Sequence, residues 1–199
     1  LACEGVITEL NKKRTLNKKT KLLKHSSIAD CYLKQQNYSL ATDELKECIK
    51  LSNKKQASRF KYILAQVYQK VGNQKNAYEL FEDVVRESSD YEMTFNAKMN
   101  LAKSAIQTGI NVRKSKEALK KMLKDDKNKE YLDQIYFTIS EIEIAEIDTI
   151  ACITSLLNST KYSFENDVQK SLSFYNLAKI YYSKQEYRKA GLYYDSTIF

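Results

Sequence analysis

One recurring spacing of small and aromatic residues constrains the fold of this chain more than any other feature. An alanine is followed three positions later by a tyrosine and twelve positions later by a second alanine, and the first two such sets are 36 residues apart. The matching sets are Ala29, Tyr32 and Ala41; Ala65, Tyr68 and Ala77; and Ala178, Tyr181 and Ala190. Residues three positions apart lie on one face of a helix. We call this spacing of Ala, Tyr and Ala the frame. It predicts repeated pairs of helices that approach each other closely at the alanines.

This frame resembles the tetratricopeptide repeat (TPR), whose unit of about 34 residues is a pair of antiparallel helices. The resemblance implies an all-α fold, a right-handed α-solenoid of about five TPR-like helical hairpins, two of them degenerate. We treat residues 1–199 as a single TPR solenoid segment, and we expect it to be a fragment of a longer array in which 1–21 end a preceding repeat. The expected repeats span 22–55, 58–90, 95–130, 133–160 and 171–199. A non-repeating helical bundle is the alternative.

The third and fourth units depart from the frame. Ala102 opens the third unit, but its assigned partner, Ala118, follows after 16 residues, so we expect a longer loop at 109–113. In the fourth unit we predict helices over 135–145 and 149–157. The alternating apolar pattern at 141–144 is typical of a strand, but both of its flanks are helical. Residues 124–129 and 158–167 are predicted to be polar connectors.

The composition excludes several classes of protein. With 4 Gly and no Pro, the chain has too few turn residues for an all-β fold, and its isolated glycines form no phosphate-binding loop. Of the net charge of +8, residues 1–60 contribute +7, and the run 11–24 holds seven basic residues and no acidic one. Such a patch is suited to phosphate or to an acidic protein surface, and a solvated face is the simpler interpretation.

The sequence offers no catalytic or metal-binding set. Cys3, Cys31, Cys48 and Cys152 lack the spacing of a zinc site, and His25 does not complete one. We expect Cys31 and Cys48 to be buried thiols at packing positions. The only histidine falls at a packing position too, so we predict that the protein is not an enzyme and takes no cofactor, metal or small-molecule substrate.

The inner surface of a helical-repeat array is formed mainly by one face of the first helix of each repeat. The residues predicted to line it and to bind a partner are Asp30, Lys34, Tyr62, Gln66, Lys70, Met99, Lys103, Phe137, Glu141, Tyr175 and Lys179. Aromatic anchors among lysines are suited to an extended or helical acidic segment, and an ordinary solvated groove is the alternative. Ser26 and Asp30 stand where chaperone-binding TPR proteins have the first Lys and Asn of their carboxylate clamp, which argues against that activity.

Several longer strings resemble one particular family. They are Tyr91-Glu92-Met93-Thr94-Phe95-Asn96-Ala97-Lys98, the segment from Met122 to Tyr136, Phe60 to Lys70, Ile28 to Tyr32 with the helix at Glu44-Leu45-Lys46, and Tyr193 to Thr197. Together, from about residue 22 to the end, they resemble the large TPR lipoprotein of the type IX secretion and gliding-motility machinery, the PorW/SprE type. The resemblance implies a non-enzymatic protein in the periplasm, anchored to the outer membrane by a lipid outside this segment. It implies a role in protein secretion, linking the periplasmic ring components with the outer-membrane translocon.

Two other functions remain open at this point. The chain is also compatible with a generic TPR adaptor of another pathway. A basic helical-repeat protein that binds nucleic acid is the other alternative, suggested by the isoelectric point of about 9.1 and the 11–24 run. The confinement of positive charge to one end of the chain makes nucleic acid the less favoured partner.

Overall fold

A computed structural model describes Gly5, Thr8 and residues 16–197 of the 199-residue chain. Over these residues it contains ten α-helices, one 3-10 helix and no strand, which confirms the predicted all-α class. The helices are α1 (Lys18–Lys34), α2 (Tyr38–Leu51), α3 (Lys54–Lys70), α4 (Gln74–Glu87), α5 (Tyr91–Thr108), α6 (Val112–Met122), α7 (Leu132–Ala145), α8 (Thr149–Tyr162), α9 (Asp167–Ser183) and α10 (Tyr187–Asp195). We call the odd-numbered helices A helices and the even-numbered ones B helices. The 3-10 helix, Asp126–Tyr131, precedes α7.

The chain divides into two compact units, Leu1–Ser104 and Ala105–Phe199. In unit 1, α1 packs on α2, α2 on α3 and α3 on α4. In unit 2, α6 packs on α7, α7 on α8, α8 on α9 and α9 on α10. Helices adjacent in sequence are thus neighbours in space, as expected for antiparallel helical hairpins joined by short turns.

Asparagine caps the start of five of the ten described α-helices. Its side-chain oxygen accepts a hydrogen bond from the backbone N–H three residues later, which satisfies one of the unpaired donors at a helix start. The capped helices and their residues are α1 with Asn17, α2 with Asn37, α3 with Asn53, α4 with Asn73 and α9 with Asn166, while Asp148 caps α8. These asparagines therefore help to fix where five of the helices start.

The frame alanines form the seams between helices. All six of them are at most 2% exposed, and in unit 1 Ala65 and Ala77 lie in one core cluster with Phe81 and Val84. A second cluster of unit 1 contains Ala29, Leu45, Leu64 and Val67. In unit 2 the corresponding cluster contains Cys152, Leu156, Leu177 and Ile180. Small side chains at the seam allow larger ones beside it to be fully buried, each worth about 1.5–3 kcal/mol.

The assignment of Ala118 as the second frame alanine of the third unit was wrong. Ser115 is the buried residue at the fourth position of α6, where Ala41 and Ala77 stand in α2 and α4, and Ala118 is only half-buried. The expected longer loop is wrong as well, because the turn between α5 and α6 is three residues long, like the turn between α3 and α4. Instead, α5 ends at Thr108, six residues after Ala102, whereas α3 ends at Lys70, five residues after Ala65. The extra residue lies in the helix and not in the turn.

The fourth unit keeps the frame with other small residues. Ser140 and Cys152 are 3% and 1% exposed and are twelve positions apart, as the frame alanines are. The prediction of helix at 141–144 is confirmed, since α7 includes these residues. The predicted connectors are shorter than expected: the 3-10 helix occupies part of 124–129, and α8 continues to Tyr162 within 158–167.

All five A–B turns contain a left-handed residue, and in four of them it occupies the second of the three turn positions. Gln36, Gly72, Ile147 and Gln185 each occupy the second turn position, with φ of 58°, 79°, 62° and 62°. At Gly72 the next N–H, of Asn73, donates to the carbonyl of Tyr68 at 2.8 Å, which completes a Schellman motif. The prediction that Gly72 is a left-handed helix cap is confirmed.

The repeat boundaries expected from the sequence start later than the helices. The expected starts at 22, 58, 95 and 171 are each four residues after the first residue of α1, α3, α5 and α9. Of residues 1–21, which are predicted to end a preceding repeat, only Gly5, Thr8 and 16–21 lie among the described residues, and 18–21 begin α1. None of the described helices is long and apolar enough to cross a bilayer.

Candidate functional site

The residues predicted to line the partner-binding surface fall into both units. Unit 1 holds Asp30, Lys34, Tyr62, Gln66, Lys70, Met99 and Lys103, and unit 2 holds Phe137, Glu141, Tyr175 and Lys179.

The position directly after the buried small residue of each A helix varies in charge along the chain. It is held by Asp30, Gln66, Lys103, Glu141 and Lys179 in turn, so its charge changes from repeat to repeat. All five side chains are exposed or half-buried, so this position faces outward.

Met99 does not belong to the predicted surface. It is 8% exposed, so it lies in the core of unit 1 and is not accessible to a partner. Gln66, Lys70 and Lys103 are exposed, as the prediction requires. Asp30 and Lys34 are exposed too, and they form an ion pair at 2.6 Å one turn apart on α1. An exposed pair of this kind contributes little to stability and leaves both charges accessible to solvent.

In unit 1, a polar network links α3 to α5. The Nδ2 of Asn100 donates to the hydroxyl of Tyr62 at 3.4 Å, and the Nε2 of Gln69 donates to the Oγ of Ser104 at 3.0 Å. Ser104 in turn donates to the Oε1 of Gln74 at 3.1 Å. Burial raises the pKa of Tyr62, so its hydroxyl keeps its proton at neutral pH. These bonds hold two A helices together.

In unit 2, the space between α7 and α9 is an open groove of about 370 Å³. Two predicted residues, Glu141 from α7 and Lys179 from α9, both line it. Its floor includes the buried Cys152 and Leu156 of α8. The groove therefore combines an apolar floor with an acidic and a basic group, one supplied by each of the two A helices.

The other two predicted residues of unit 2 have different roles. Phe137 is half-buried and packs against the core cluster of Cys152 and Leu156, so it supports the groove floor. Tyr175 is 47% exposed, and the ammonium of Lys179 lies 5.5 Å from the centre of its ring. A cation over an aromatic face stabilises the position of both side chains.

Sequence reasoning missed a second groove, between α1 and α3 in unit 1. It has a volume of about 620 Å³ and an apolar lining of Leu22, Leu23, Phe60 and Ile63. Lys19 and Arg59 are the charged residues of its lining. The signal for it was present in the sequence, because Lys19, Leu22 and Leu23 lie in the basic run and share one face of α1 with the required helical spacing.

The three thiols among the described residues and the histidine have structural positions. Cys31, Cys48 and Cys152 are buried, as expected for Cys31 and Cys48. Burial raises the pKa of the Cys48 thiol to about 12 and that of Cys152 to about 11, so both are protonated thiols at neutral pH. The Nδ1 of His25 lies 2.6 Å from a carboxylate oxygen of Glu44, which links α1 to α2. Among the described residues, no three His, Cys, Asp or Glu side chains lie close enough together to hold a metal.

Comparison with known proteins identifies the type of fold. No family model and no curated protein matches the chain. BtubC from P. vanneervenii superposes with a TM-score of 0.73 at 16% identity, over 98% of this chain and 87% of its own. MamA from Desulfovibrio magneticus RS-1 gives a TM-score of 0.69 at 12% identity, over 89% of this chain and 93% of its own. YrrB, a TPR protein with an unusual peptide-binding site, gives 0.59 at 15% identity, over 100% of this chain and 91% of its own. The fold is therefore that of TPR-type helical repeat proteins.

Proposed function

We propose that this protein is a non-enzymatic scaffold that binds segments of other proteins along its A helices. The groove between α7 and α9 is the observation that carries the proposal, because it joins an apolar floor to opposite charges at Glu141 and Lys179. Apolar contact contributes most of the binding free energy in such a groove, while the two charges select the register of the bound segment. The peptide-binding site of YrrB, a protein of the same fold, supports the proposal.

The two charges predict the chemistry of the bound segment. A segment in the α7/α9 groove has an apolar side chain above Cys152 and Leu156, a basic group toward Glu141 and an acidic group toward Lys179. Reversing one charge of the groove places two like charges in it and weakens binding of the matching segment. Reversing both charges together restores the pairing for a segment of inverted polarity.

Site-specific photo-cross-linking in the source cells tests this proposal. We expect a photo-reactive amino acid in place of Ser183, an exposed residue of the groove lining, to capture one or a few defined proteins, and the additional change Glu141→Lys to reduce the yield of that product. Lys75, an exposed lysine of α4, is the matched control position and should capture none of them. Equal products from both positions would contradict a role for the groove.

We further propose that the pathway is type IX protein secretion and gliding motility. The support is the resemblance of segments such as 91–98 and 122–136 to the PorW/SprE-type lipoprotein, which is independent of the fold. In this proposal the full-length parent is a periplasmic lipoprotein anchored to the outer membrane, and its partners are the ring components and the outer-membrane translocon. A generic adaptor of another pathway would use the same groove with other partners.

A cross-linked pull-down with the tagged full-length parent tests the pathway separately from the groove. Recovery of ring and translocon proteins from the envelope fraction is the expected result. Recovery of ribosomes or RNA without envelope proteins would refute the secretion role. Recovery of a different set of proteins by cross-linking through Ser183 would keep the scaffold function and replace the pathway.

A further inference from the structure

The basic residues of unit 1 gather at the start of its first two A helices. Helix α3 contains no acidic residue, and Asp30, near the end of α1, is the only one of that helix. Lys34 and Lys61 of the same helices are paired with carboxylates. The exposed basic side chains of the first two turns are Lys18, Lys19, Lys21, Lys54, Lys55 and Arg59. Within the described part of the chain these six form no ion pair, so their charge is available to an outside group.

The α1/α3 groove lies among these charges. Its apolar lining includes Leu23 of α1 with Phe60 and Ile63 of α3, and Lys19 and Arg59 are the charged residues of the lining. Leu23 is 65% exposed, so the apolar lining is accessible. The volume of about 620 Å³ lies within the range of about 300–1,000 Å³ that is typical of ligand sites. An accessible apolar surface is thus bordered by one basic group from each helix.

The groove does not depend on where the described chain begins. Phe60 and Ile63 of α3 pack against the core cluster that contains Leu45 of α2, so this side of α3 contacts the hairpin before it. The frame places Lys24 and Ser27 of α1 at the positions of Phe60 and Ile63. A helix pair packed on α1 in the same way would contact Lys24 and Ser27, and neither of them lines the groove. The groove would therefore stay open within a longer array.

A small residue of α1 leaves space in the groove. Ser26 lines it and occupies the frame position that Tyr62 has in α3. The hydroxyl of Tyr62 accepts a hydrogen bond from Asn100 of α5 at 3.4 Å, whereas the hydroxyl of Ser26 donates within its own helix, to the carbonyl of Leu23 at 2.9 Å. The volume that a large side chain fills between α3 and α5 is therefore left to an outside group between α1 and α3.

We propose that the α1/α3 groove binds a segment of a partner protein in which apolar side chains are flanked by acidic residues. The apolar side chains pack on Leu23, Phe60 and Ile63, and the flanking carboxylates pair with Lys19 and Arg59. Charge complementarity is the argument for this partner, because a basic or neutral segment would leave both cations without a counter-charge. An acidic protein segment also fits better than a nucleic acid, since it covers the apolar lining while it reaches both cations.

The inference rests on the proposed scaffold function and adds a second binding surface to it. The two grooves differ in the segment that they select. The α7/α9 groove presents Glu141 and Lys179 and so favours a segment with one basic and one acidic group. The α1/α3 groove presents two cations and favours acidic groups on both sides of the apolar side chains.

Fluorescence anisotropy of three labelled peptides with the full chain tests the inference. The peptide DEFLEDE carries the proposed pattern, DESSEDE has the same charge without the apolar pair, and KKFLKKK has the opposite charge. At 150 mM salt we expect a dissociation constant of about 10–100 μM for DEFLEDE, and binding at least about tenfold weaker for the other two. Equal binding of DEFLEDE and DESSEDE would show attraction by charge alone and would overturn the proposal, as would no binding of DEFLEDE at about 1 mM.

Variants of exposed residues show whether the groove is the binding site. Lys19→Glu with Arg59→Glu should weaken binding of DEFLEDE by about tenfold or more, and Leu23→Asn should weaken it by about 3- to 10-fold. Lys75→Glu, at an exposed lysine of α4, is the matched control and should leave the affinity unchanged within about twofold. The double charge variant should also gain affinity for KKFLKKK, a result that loss of folding does not produce. If it binds DEFLEDE as tightly as the wild type does, the proposal is wrong.

Three other occupants of the groove give different results, and each would overturn the proposal. A dimer in sedimentation equilibrium that Arg59→Glu abolishes would mean that a second copy of the chain occupies the groove. A photo-reactive amino acid at Leu23 that cross-links within the chain to residues 1–15 would mean that the chain's own segment does so. Tighter binding of single-stranded oligouridine than of DEFLEDE at 200 mM salt would make a nucleic acid the ligand.

Failure of this inference is distinguishable from failure of the proposed function. If DEFLEDE binds as expected but photo-cross-linking through Ser183 captures no protein, the α7/α9 groove is not a binding site and the α1/α3 groove stands. If Ser183 captures a partner but DEFLEDE does not bind, the scaffold function stands and this inference is wrong.

Discussion

Ile147 is the residue whose backbone conformation fits its side chain least. It occupies the left-handed turn position with φ of 62°, is β-branched and is 87% exposed. A β-branched residue is strained in this region, whereas glycine adopts it freely, as Gly72 does at the equivalent turn.

We expect Ile147→Gly to raise the free energy of unfolding by about 1 kcal/mol, because it removes strain without removing buried contact. Thermal or urea unfolding of the full chain measures the change. Ile150→Gly is the matched control, since Ile150 is 81% exposed but lies inside α8, where glycine should cost about 0.5–1 kcal/mol. A loss of stability in Ile147→Gly would show that the isoleucine makes a favourable contact.

The buried thiol of Cys48 couples stability to alkaline pH. Burial, with a smaller effect from Glu44 and Glu47, raises its pKa from 9.0 to about 12. The unfolded chain therefore releases the thiol proton at lower pH than the folded chain does. As a result, the free energy of unfolding decreases as pH rises from about 9 toward 12.

We expect the stability difference between the wild type and Cys48→Ala to be constant below pH 9. Above pH 9, the free energy of unfolding of the wild type falls by about 1.4 kcal/mol per pH unit relative to that of the variant, so the stability difference between the two proteins becomes smaller. Urea unfolding at pH 7, 8.5 and 10.5 provides the measurement. If the free energy of unfolding changes equally with pH in the two proteins across this range, the raised pKa of the Cys48 thiol is contradicted.

At the scale of helices, an ion-pair network joins α6 to α7. The ammonium of Lys116 lies 3.3 Å from Glu143 and 2.6 Å from Glu146, and the hydroxyl of Ser155 donates to Glu143 at 2.6 Å. Lys116 and Glu143 are 14% and 5% exposed at the side chain, so solvent screens their attraction only weakly. Glu143 stands where three other A helices have the frame tyrosine.

We expect Lys116→Ala to destabilise unit 2 by about 2–4 kcal/mol, because it leaves the Glu143 carboxylate buried without its cation. The double variant Lys116→Met with Glu143→Leu should recover much of this loss, since it removes both charges together. Lys120→Ala, at an exposed lysine of the same helix, should change stability by less than about 0.5 kcal/mol. Urea unfolding compares the three variants; equal effects of Lys116→Ala and Lys120→Ala would mean that the network contributes nothing.

The sequence predicts the helices well because the frame depends on volume and period, which local residues determine. The prediction for the third unit is wrong because it requires alanine at the seam. Ser115 in that unit, and Ser140 and Cys152 in the fourth, meet the same physical requirement for a small side chain. The surface was predicted less well. Met99 is buried although it shares the helical spacing of the exposed residues, because packing by neighbouring helices decides which of two adjacent faces is covered.

At the scale of the whole molecule, the uneven charge decides which class of partner is favoured. Residues 1–60 carry +7 of the net +8, and the α1/α3 groove is lined by Lys19 and Arg59. These charges attract any polyanion, but the groove between them is apolar, and base-stacking aromatic residues are few there.

We therefore expect only weak, sequence-independent binding of single-stranded RNA, lost at about 150–200 mM salt. Electrophoretic mobility shifts at 20 and 200 mM salt measure it, with Lys19→Glu and Arg59→Glu as variants that reduce it and Lys75→Glu as the control. RNA binding that persists at the higher salt with sequence preference would revive the nucleic-acid function.

The residue that follows the buried small residue of each A helix has a consequence for how such a protein changes over time. Asp30, Gln66, Lys103, Glu141 and Lys179 differ in sign of charge while the neighbouring Ala29, Ala65, Ala102, Ser140 and Ala178 stay small. The small residue is constrained by packing, whereas the next residue faces outward and is not. A single substitution at the outward position can therefore change which partner segment a repeat binds without changing its fold. The binding preference of this chain can therefore evolve one repeat at a time, with little change in its free energy of unfolding.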